Sequence, residues 1–342
     1  MFLPDTASSR GEILVSYSAV ARESGLSVST VSRFLKGEMQ LRPETRDKIF
    51  SAMRALNYSH TPEATQTGLY IIVPEMANPY FGALAEALSD GATARGLDAR
   101  IIISGGNTKR ETDIVTELSK RDNLYGVCYV GMSRENPHLD ELAARFPVVV
   151  VDEPIDRVEV DSLPFVGADN FSGAFAATNY LISMGHNRIS HVGGPTDLIS
   201  AQERQRGYES ALTANGIAVD PSLILRGPYS ESYGASVLTQ FKQLVQFPTA
   251  AFVSSDFVAI GLISAADQYG IRIPQDLSLV GFDGIRVGAW LRPQLTTVAQ
   301  PISEMVNAAF AELNVLHTGR AGTDRVLPME LMLRESVLRL GD

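Results

Sequence analysis

Val15-Ser-Tyr-Ser-Ala-Val-Ala-Arg-Glu-Ser-Gly-Leu-Ser-Val-Ser-Thr-Val-Ser-Arg-Phe-Leu35 predicts two short helices about the turn Gly25-Leu26-Ser27. Val20, Ala21, Leu26, Val31 and Leu35 supply the apolar positions, and Ala21 is small where a second helix must cross closely. Gly25 suits the left-handed conformation that ends a helix, and Ser16 and Ser27 can cap the first and second helices. The first helix is expected over about 17–24 and the second over about 28–35, stopped by Lys36-Gly37. Pro43 suits a first helical position. It opens a third helix over about 43–56, whose face Ile49, Ala52, Met53, Leu56 should cover the first two. This is the helix-turn-helix pattern, whose second helix enters the DNA major groove.

Within that second helix Val28, Ser29, Ser32 and Arg33 share the face opposite Val31 and Leu35. A guanidinium there can pair bidentately with guanine, a contact worth about 1–3 kcal/mol of discrimination. Ser29 or Ser32 can donate to phosphate or a base edge, and Val28 can touch a thymine methyl. Ser16, Tyr17, Ser27, Thr30 and Gln40 complete the candidate DNA-contacting set. The bland alternative is that Arg33 is a solvated surface arginine.

Charge sharpens the choice. The chain carries −10 overall, which argues against a general nucleic-acid binder. Residues 13–58, however, hold seven Lys/Arg against four acids, whereas residues 59–342 hold 21 against 33. A small basic head on an acidic body favours one defined DNA contact. The 342 residues suggest two or three domains of ordinary globular composition, 45% hydrophobic and 20% charged. Residues 1–12 read as a disordered leader without a secretory apolar core, and no apolar run approaches the ~18 residues of a membrane span. The lone Cys128, in Val-Cys-Tyr-Val, reads as core in a reducing, cytoplasmic compartment.

Val-Ala-Arg-Glu-Ser-Gly-Leu-Ser-Val-Ser-Thr-Val-Ser-Arg (20–33), Pro-Glu-Thr-Arg (43–46) and Ala-Leu-Asn-Tyr (55–58) together resemble the headpiece of the LacI/GalR family of bacterial transcriptional regulators. The similarity continues from Val15 to about Arg339. In that family the linker after the headpiece is Arg/Leu-rich and folds on DNA into a hinge helix that wedges a leucine into the minor groove. The linker here, residues 59–68, is shorter and has no leucine, arginine or lysine before Leu69, but a proline and three threonines. Neither a long helix nor the leucine wedge is expected from it.

From Gly68 apolar runs alternate with helical stretches, which means a parallel, doubly wound sheet. Leu69-Tyr-Ile-Ile-Val, Ala99-Arg-Ile-Ile-Ile, Gly126-Val-Cys-Tyr-Val and Val148-Val-Val-Val are the first strands. Phe165-Val-Gly-Ala is expected to open a second round, and residues 325–335 to form a closing strand pair. The fold expected is an all-α helix-turn-helix headpiece (13–58) and an α/β body (69–342). By resemblance the body is the two-lobed, periplasmic-binding-protein-like effector domain, with a first lobe of about 69–165 and 299–335 and a second of about 166–298. The resemblance also implies a homodimer reading a pseudo-palindromic operator, its dimer face in the body's first half. No heptads follow Leu333-Arg-Glu-Ser336, so no tetramerising tail is expected.

Ligands of open parallel sheets collect at the carboxyl ends of the strands. Asn78, Tyr80 and Phe81 stand there after the first strand, followed in the second half by Arg204, Tyr229, Ser255, Asp256 and Asp283. Of these, Tyr80, Phe81, Arg204, Tyr229, Ser255 and Asp283 match the family's effector contacts, and Gln300 matches a further contact in some members. Ser133 and Ser172 are weaker matches. Arg and Asp supply the planar donors and acceptors that hydroxyl-rich ligands need. Each also has a structural reading: Arg204 and Asp283 as an ion pair, Tyr80 and Phe81 as core, Asp256 as a helix cap. The effector implied is a sugar or sugar derivative, with a purine or nucleoside second, acting on a repressor without cofactor. Two other classes compete: a solute-binding protein, suggested by the body alone, and a sugar-active enzyme. The five histidines are scattered without metal spacing, and no Gly-x-Ser-x-Gly elbow or Walker loop occurs.

Overall fold

The computed structural model describes residues 17–35, 39, 41–56, 68–156 and 163–341. The chain forms two units, Met1–Thr67 and Gly68–Asp342. The expected leader and the linker up to residue 67 lie outside the described residues, as do Ser16 and Gln40.

The first unit holds α1 (Tyr17–Ser24), α2 (Val28–Leu35) and α3 (Pro43–Ala55). Gly25 takes φ +70°, and the Leu26 amide donates back to the Ala21 carbonyl at 3.0 Å, closing α1. Ser27 Oγ accepts from the Thr30 amide at 3.1 Å, so the hydroxyl satisfies one of the unpaired donors that begin α2. Val20, Ala21, Val31, Ile49 and Ala52 form the core, edged by Leu26, Met53 and Leu56. Phe34 joins that edge and meets the Phe50 ring side-on at 5.9 Å.

The second unit runs β1 (Gly68–Val73), α4 (Pro79–Thr93), β2 (Ala99–Ile103), α5 (Thr108–Ser119), β3 (Leu124–Tyr129), α6 (Leu139–Ala143), β4 (Val148–Val151) and β5 (Phe165–Ala168). It continues through α7 (Asn170–Ser183), β6 (Ile189–Gly193), α8 (Ile199–Ala214), β7 (Ile224–Arg226), α9 (Glu231–Gln243), β8 (Ala250–Val253) and α10 (Asp256–Gln268). It closes with β9 (Ser278–Asp283), β10 (Thr296–Ala299), α11 (Ile302–His317), β11 (Arg325–Leu327) and β12 (Glu330–Met332). One sheet is ordered β11-β5-β4-β3-β1-β2, the other β12-β10-β9-β8-β6-β7. All neighbours are parallel except β10 and β12. Helices cover both faces of each sheet, which is why strands such as Leu69–Val73 are apolar throughout.

The sheets correct two expectations. Phe165–Ala168 does not open the second round: Phe165 and Val166 pair with Val150 and Val151, so β5 extends the first sheet. Residues 325–335 are not a strand pair either, because β11 pairs with β5 and β12 with β10. The first lobe therefore reaches Ala168, and residues 330–341 belong with the second. The chain passes between the lobes at Asp169, at Gln300-Pro301 and at Pro328-Met329.

Backbone contact between helices positions the second lobe. A Cβ on Gly261 of α10 would stand 1.9 Å from the Glu231 carbonyl of α9, and one on Gly234 of α9 would stand 1.9 Å from the Val258 carbonyl of α10. Only glycine permits so close a crossing.

Candidate functional site

In the headpiece, Val28, Ser29 and Arg33 are exposed on α2 and Ser32 is half-buried, while Val31 is fully buried on the opposite side. Ser27 and Thr30 are engaged with each other, their hydroxyls 2.7 Å apart, so their first task is to shape the start of α2. Tyr17 is half-buried against the three-helix core.

In the body, the loops after β1, β4, β8, β9 and β10 converge between the lobes. Tyr80, at the start of α4, donates to Asp152 Oδ1 at 2.5 Å and lies 3.1 Å from Gln300 Oε1. Gln300 Nε2 donates to Asp283 Oδ1 at 3.1 Å, and Ser255 Oγ to Asp283 Oδ2 at 2.9 Å. Arg204 Nη1 lies 3.6 Å from Asp283 Oδ1 and donates to the Ser254 carbonyl at 2.6 Å. Its Nε donates to Asn170 at 2.8 Å, and its guanidinium lies over the Phe282 ring at 4.0 Å and near Tyr229 at 5.7 Å. One connected polar set thus joins Tyr80 of the first lobe to Arg204, Ser255 and Asp283 of the second through Gln300.

Several candidate residues serve the frame of this set. Asn78 Oδ1 caps α4 by accepting from the Tyr80 amide at 3.1 Å. Phe81 packs into the first lobe's core, edge-on to Tyr80 at 5.4 Å. Asp256 accepts from Thr297 Oγ1 at 2.7 Å and from the Ile285 amide at 2.9 Å, which fastens the turn after β9 to β10. Ser133 bonds Thr108 at 2.8 Å, and the exposed Ser172 donates to Asp169, which caps α7. The structure does not bring these two serines into the set.

Two acids that sequence reasoning passed over complete it. Asp152, at φ +74°, takes the Tyr80 hydroxyl. Glu153 bridges the lobes, accepting from the Ser200 amide at 3.2 Å and from the Ser200 hydroxyl at the start of α8. They directly follow the Val148–Val151 run, so the same rule about carboxyl ends of strands points to them. Burial, with Glu153 and Asp283 nearby, pushes the Asp152 carboxyl up to about 7 against the pull of Tyr80 and Arg204. Burial and Asp283 push Asp256 up to about 8. Burial also raises Asp283, opposed by Arg204, Gln300 and Ser255.

Away from the cleft, Cys128 is buried, its thiol pushed up to about 12 by that burial. His186 ties Thr249 Oγ1 and the Leu338 carbonyl together, both at 3.0 Å. Among the described residues no group of three His, Cys, Asp or Glu could hold a metal ion, and no helix is long and apolar enough to cross a membrane.

Residues 18–60 match the model of bacterial regulatory proteins of the lacI family, and residues 178–337 match a periplasmic binding protein-like domain. The HTH-type transcriptional repressor CytR of Escherichia coli K12 is 31% identical over 94% of this chain and 96% of its own length. The ribose operon repressor of Haemophilus influenzae is 31% identical over 94% and 98%. Among solved structures, a complex of the transcriptional regulator CelR with cellobiose has a TM-score of 0.71 at 26% identity, covering 94% of this chain and 99% of that one. The regulator CcpA of Lactococcus lactis has 0.72 at 28%, over 80% and 99%. These relatives are transcriptional regulators, and CytR, the ribose operon repressor and CelR match headpiece and body alike. A helix-turn-helix reader and a two-lobed sensor in one polypeptide place this chain in the LacI family of bacterial DNA-binding transcriptional regulators.

Proposed function

We propose that this regulator acts as a cytoplasmic homodimer on a pseudo-palindromic operator, repressing transcription, and that a sugar or sugar derivative bound between the lobes controls it. One observation carries the effector reading. Tyr80, Gln300, Asp283, Ser255 and Arg204 form a connected set of hydroxyl and planar groups drawn from both lobes. Vicinal hydroxyls of a sugar can replace those mutual bonds one for one. The ribose operon repressor and the cellobiose-bound CelR among the relatives support this class. A nucleoside is the second reading, favoured by the aromatic rings of Tyr80 and Tyr229 beside the set. Operator contact falls to Val28, Ser29, Ser32 and Arg33, with Ser16, Tyr17, Ser27, Thr30 and Gln40 flanking. Effector binding shifts operator affinity by its differential affinity for two arrangements of the lobes, typically about 1–3 kcal/mol.

The test is a thermal-shift screen with ribose, cellobiose and adenosine, paired with operator footprinting. A ligand at about 100 times its Kd stabilises by about 2.7 kcal/mol. Arg204→Ala should abolish the ligand shift and leave the footprint; Arg33→Ala should abolish operator selectivity and leave the shift. A normal ligand response in the first variant, or an unchanged footprint in the second, refutes the corresponding assignment.

A further inference from the structure

Helix α8 begins without a cap of its own. α4, α5, α7, α9 and α10 each open on a capping side chain, from Asn78, Asn107, Asp169, Ser230 and Ser255. α8 opens on Leu198, which has no side-chain oxygen to offer and is buried. The Leu198 carbonyl takes the Gln202 amide at 3.1 Å, as the first bond of the helix. The amides of the first turn before it need an acceptor from elsewhere.

That acceptor comes from the other lobe. Glu153, directly after β4, accepts from the Ser200 amide at 3.2 Å through Oε1 and from the Ser200 hydroxyl through Oε2. Glu153 and Ser200 are only 3% and 6% exposed, so the pair is shut away from water. A carboxylate so deep is ordinarily held by a cation. Here the positive end of a helix takes that part. Burial raises the Glu153 carboxyl, opposed by Ser200, by Arg204 and by the Ile199 amide. Ser200 stands one turn before Arg204 on α8, so the face that receives Glu153 also carries the arginine of the polar set. The bonds within that set can be exchanged for bonds to a ligand. The Glu153–Ser200 pair has no oxygen left for one, and it forms only where the lobes themselves meet.

We propose that Glu153 is a positioning residue that latches the lobes together over the effector cleft, by capping α8 from the opposite side. Completing the helix and closing the cleft are then one event, and parting the lobes uncaps α8. The latch stands on the geometry alone; its meaning for regulation rests on the cleft being the effector site.

The test reads interlobe distances in the full-length protein by double electron–electron resonance. Spin labels go on Asp113→Cys of α5 and Thr239→Cys of α9, both exposed and on helices beside the sheet edges remote from the passages between lobes. Buried Cys128 takes no label. Excess unlabelled protein confines the readout to distances within one chain. Glu153→Ala should enlarge the population with parted lobes at least about fivefold, the loss of one helix cap. Glu153→Gln keeps an acceptor for the Ser200 amide and should stay near the wild type. If Glu153→Ala does not fold, Ser200→Ala, which removes one of the two bonds, should move the distances the same way and decides. A purely local role in stability would lower the urea midpoint and leave the distances alone. Ribose, cellobiose and adenosine are then titrated into both proteins, and any that binds the wild type should bind Glu153→Ala at least about fivefold more weakly. Unchanged distances in Glu153→Ala, or a Gln variant as open as the Ala variant, overturn the latch. Failure of all three ligands to bind the wild type counts against the effector reading instead, and the distances still decide the latch.

Discussion

Replacing Asp152 by Asn should make the protein more stable at pH 8 and leave it nearly unchanged at pH 4. Asn tolerates the left-handed backbone at φ +74°, so the exchange is conformationally neutral. In the folded protein the Asp152 carboxyl is pushed up to about 7, mainly by burial, from an ordinary value of 3.8. Between those values the folded state holds a proton that the unfolded state has lost. Stability from this group is therefore fully present below pH 4 and falls as pH rises to about 7. Each pKa unit is worth about 1.4 kcal/mol, so the full difference is at most about 4 kcal/mol. The Tyr80 hydroxyl, donating to the ionised carboxylate, opposes that rise in the Asp152 pKa, and burial outweighs it. Tyr80 has one proton and two acceptors within reach, Asp152 at 2.5 Å and Gln300 Oε1 at 3.1 Å. A protonated Asp152, or an Asn, can donate to the Tyr80 oxygen and free that proton for Gln300. Urea denaturation of both proteins at pH 4, 6 and 8 measures the effect, provided the m-values agree. A stability difference that does not grow with pH, or an Asn variant less stable at pH 8, would refute the reasoning.

Further outcomes follow from local geometry. Ser27→Ala should destabilise the headpiece by about 1 kcal/mol through loss of the α2 cap, seen as faster hydrogen exchange in α2 and not in the body. Gly261→Ala should cost at least about 2–3 kcal/mol in urea, because its Cβ meets backbone and not a movable side chain. Gly82→Ala, in α4 with open space around the new methyl, should instead stabilise by about 0.5–1 kcal/mol.

The headpiece was legible because its determinants are local. Gly25, Ser27, the spacing of Val20, Ala21 and Val31, and the face of α3 act within a few residues of one another. The alternation of strands and helices in the body was equally legible from apolar runs. Sheet membership was not. Phe165–Ala168 looks like any other buried strand, and its partner is decided by the open edge of β4. β11 and β12 are each three residues long, too short for sequence to say that they join different sheets. At the cleft, resemblance pointed to Tyr80, Arg204, Ser255, Asp283 and Gln300, which the structure links. It also pointed to Ser133 and Ser172, which bond to neighbours in their own lobes. Asp152 and Glu153 went unnoticed among the many acids of an acidic body. Their place directly after the Val148–Val151 run is the sequence signal, and burial and bonding then single them out.

The passages between lobes limit how this molecule can respond. The first runs from β5 into α7, the second from β10 into α11 and the third from β11 to β12, so all three touch the β5–β11 end of one sheet or the β10–β12 end of the other, and each is only a residue or two long. Pro301 and Pro328 stiffen two of them. Parallel tethers along one edge work like the knuckles of a door hinge. They forbid the lobes to slide or part, and leave a swing about a single axis. Whatever occupies the cleft can then be reported to the rest of the molecule in one form only, as an angle.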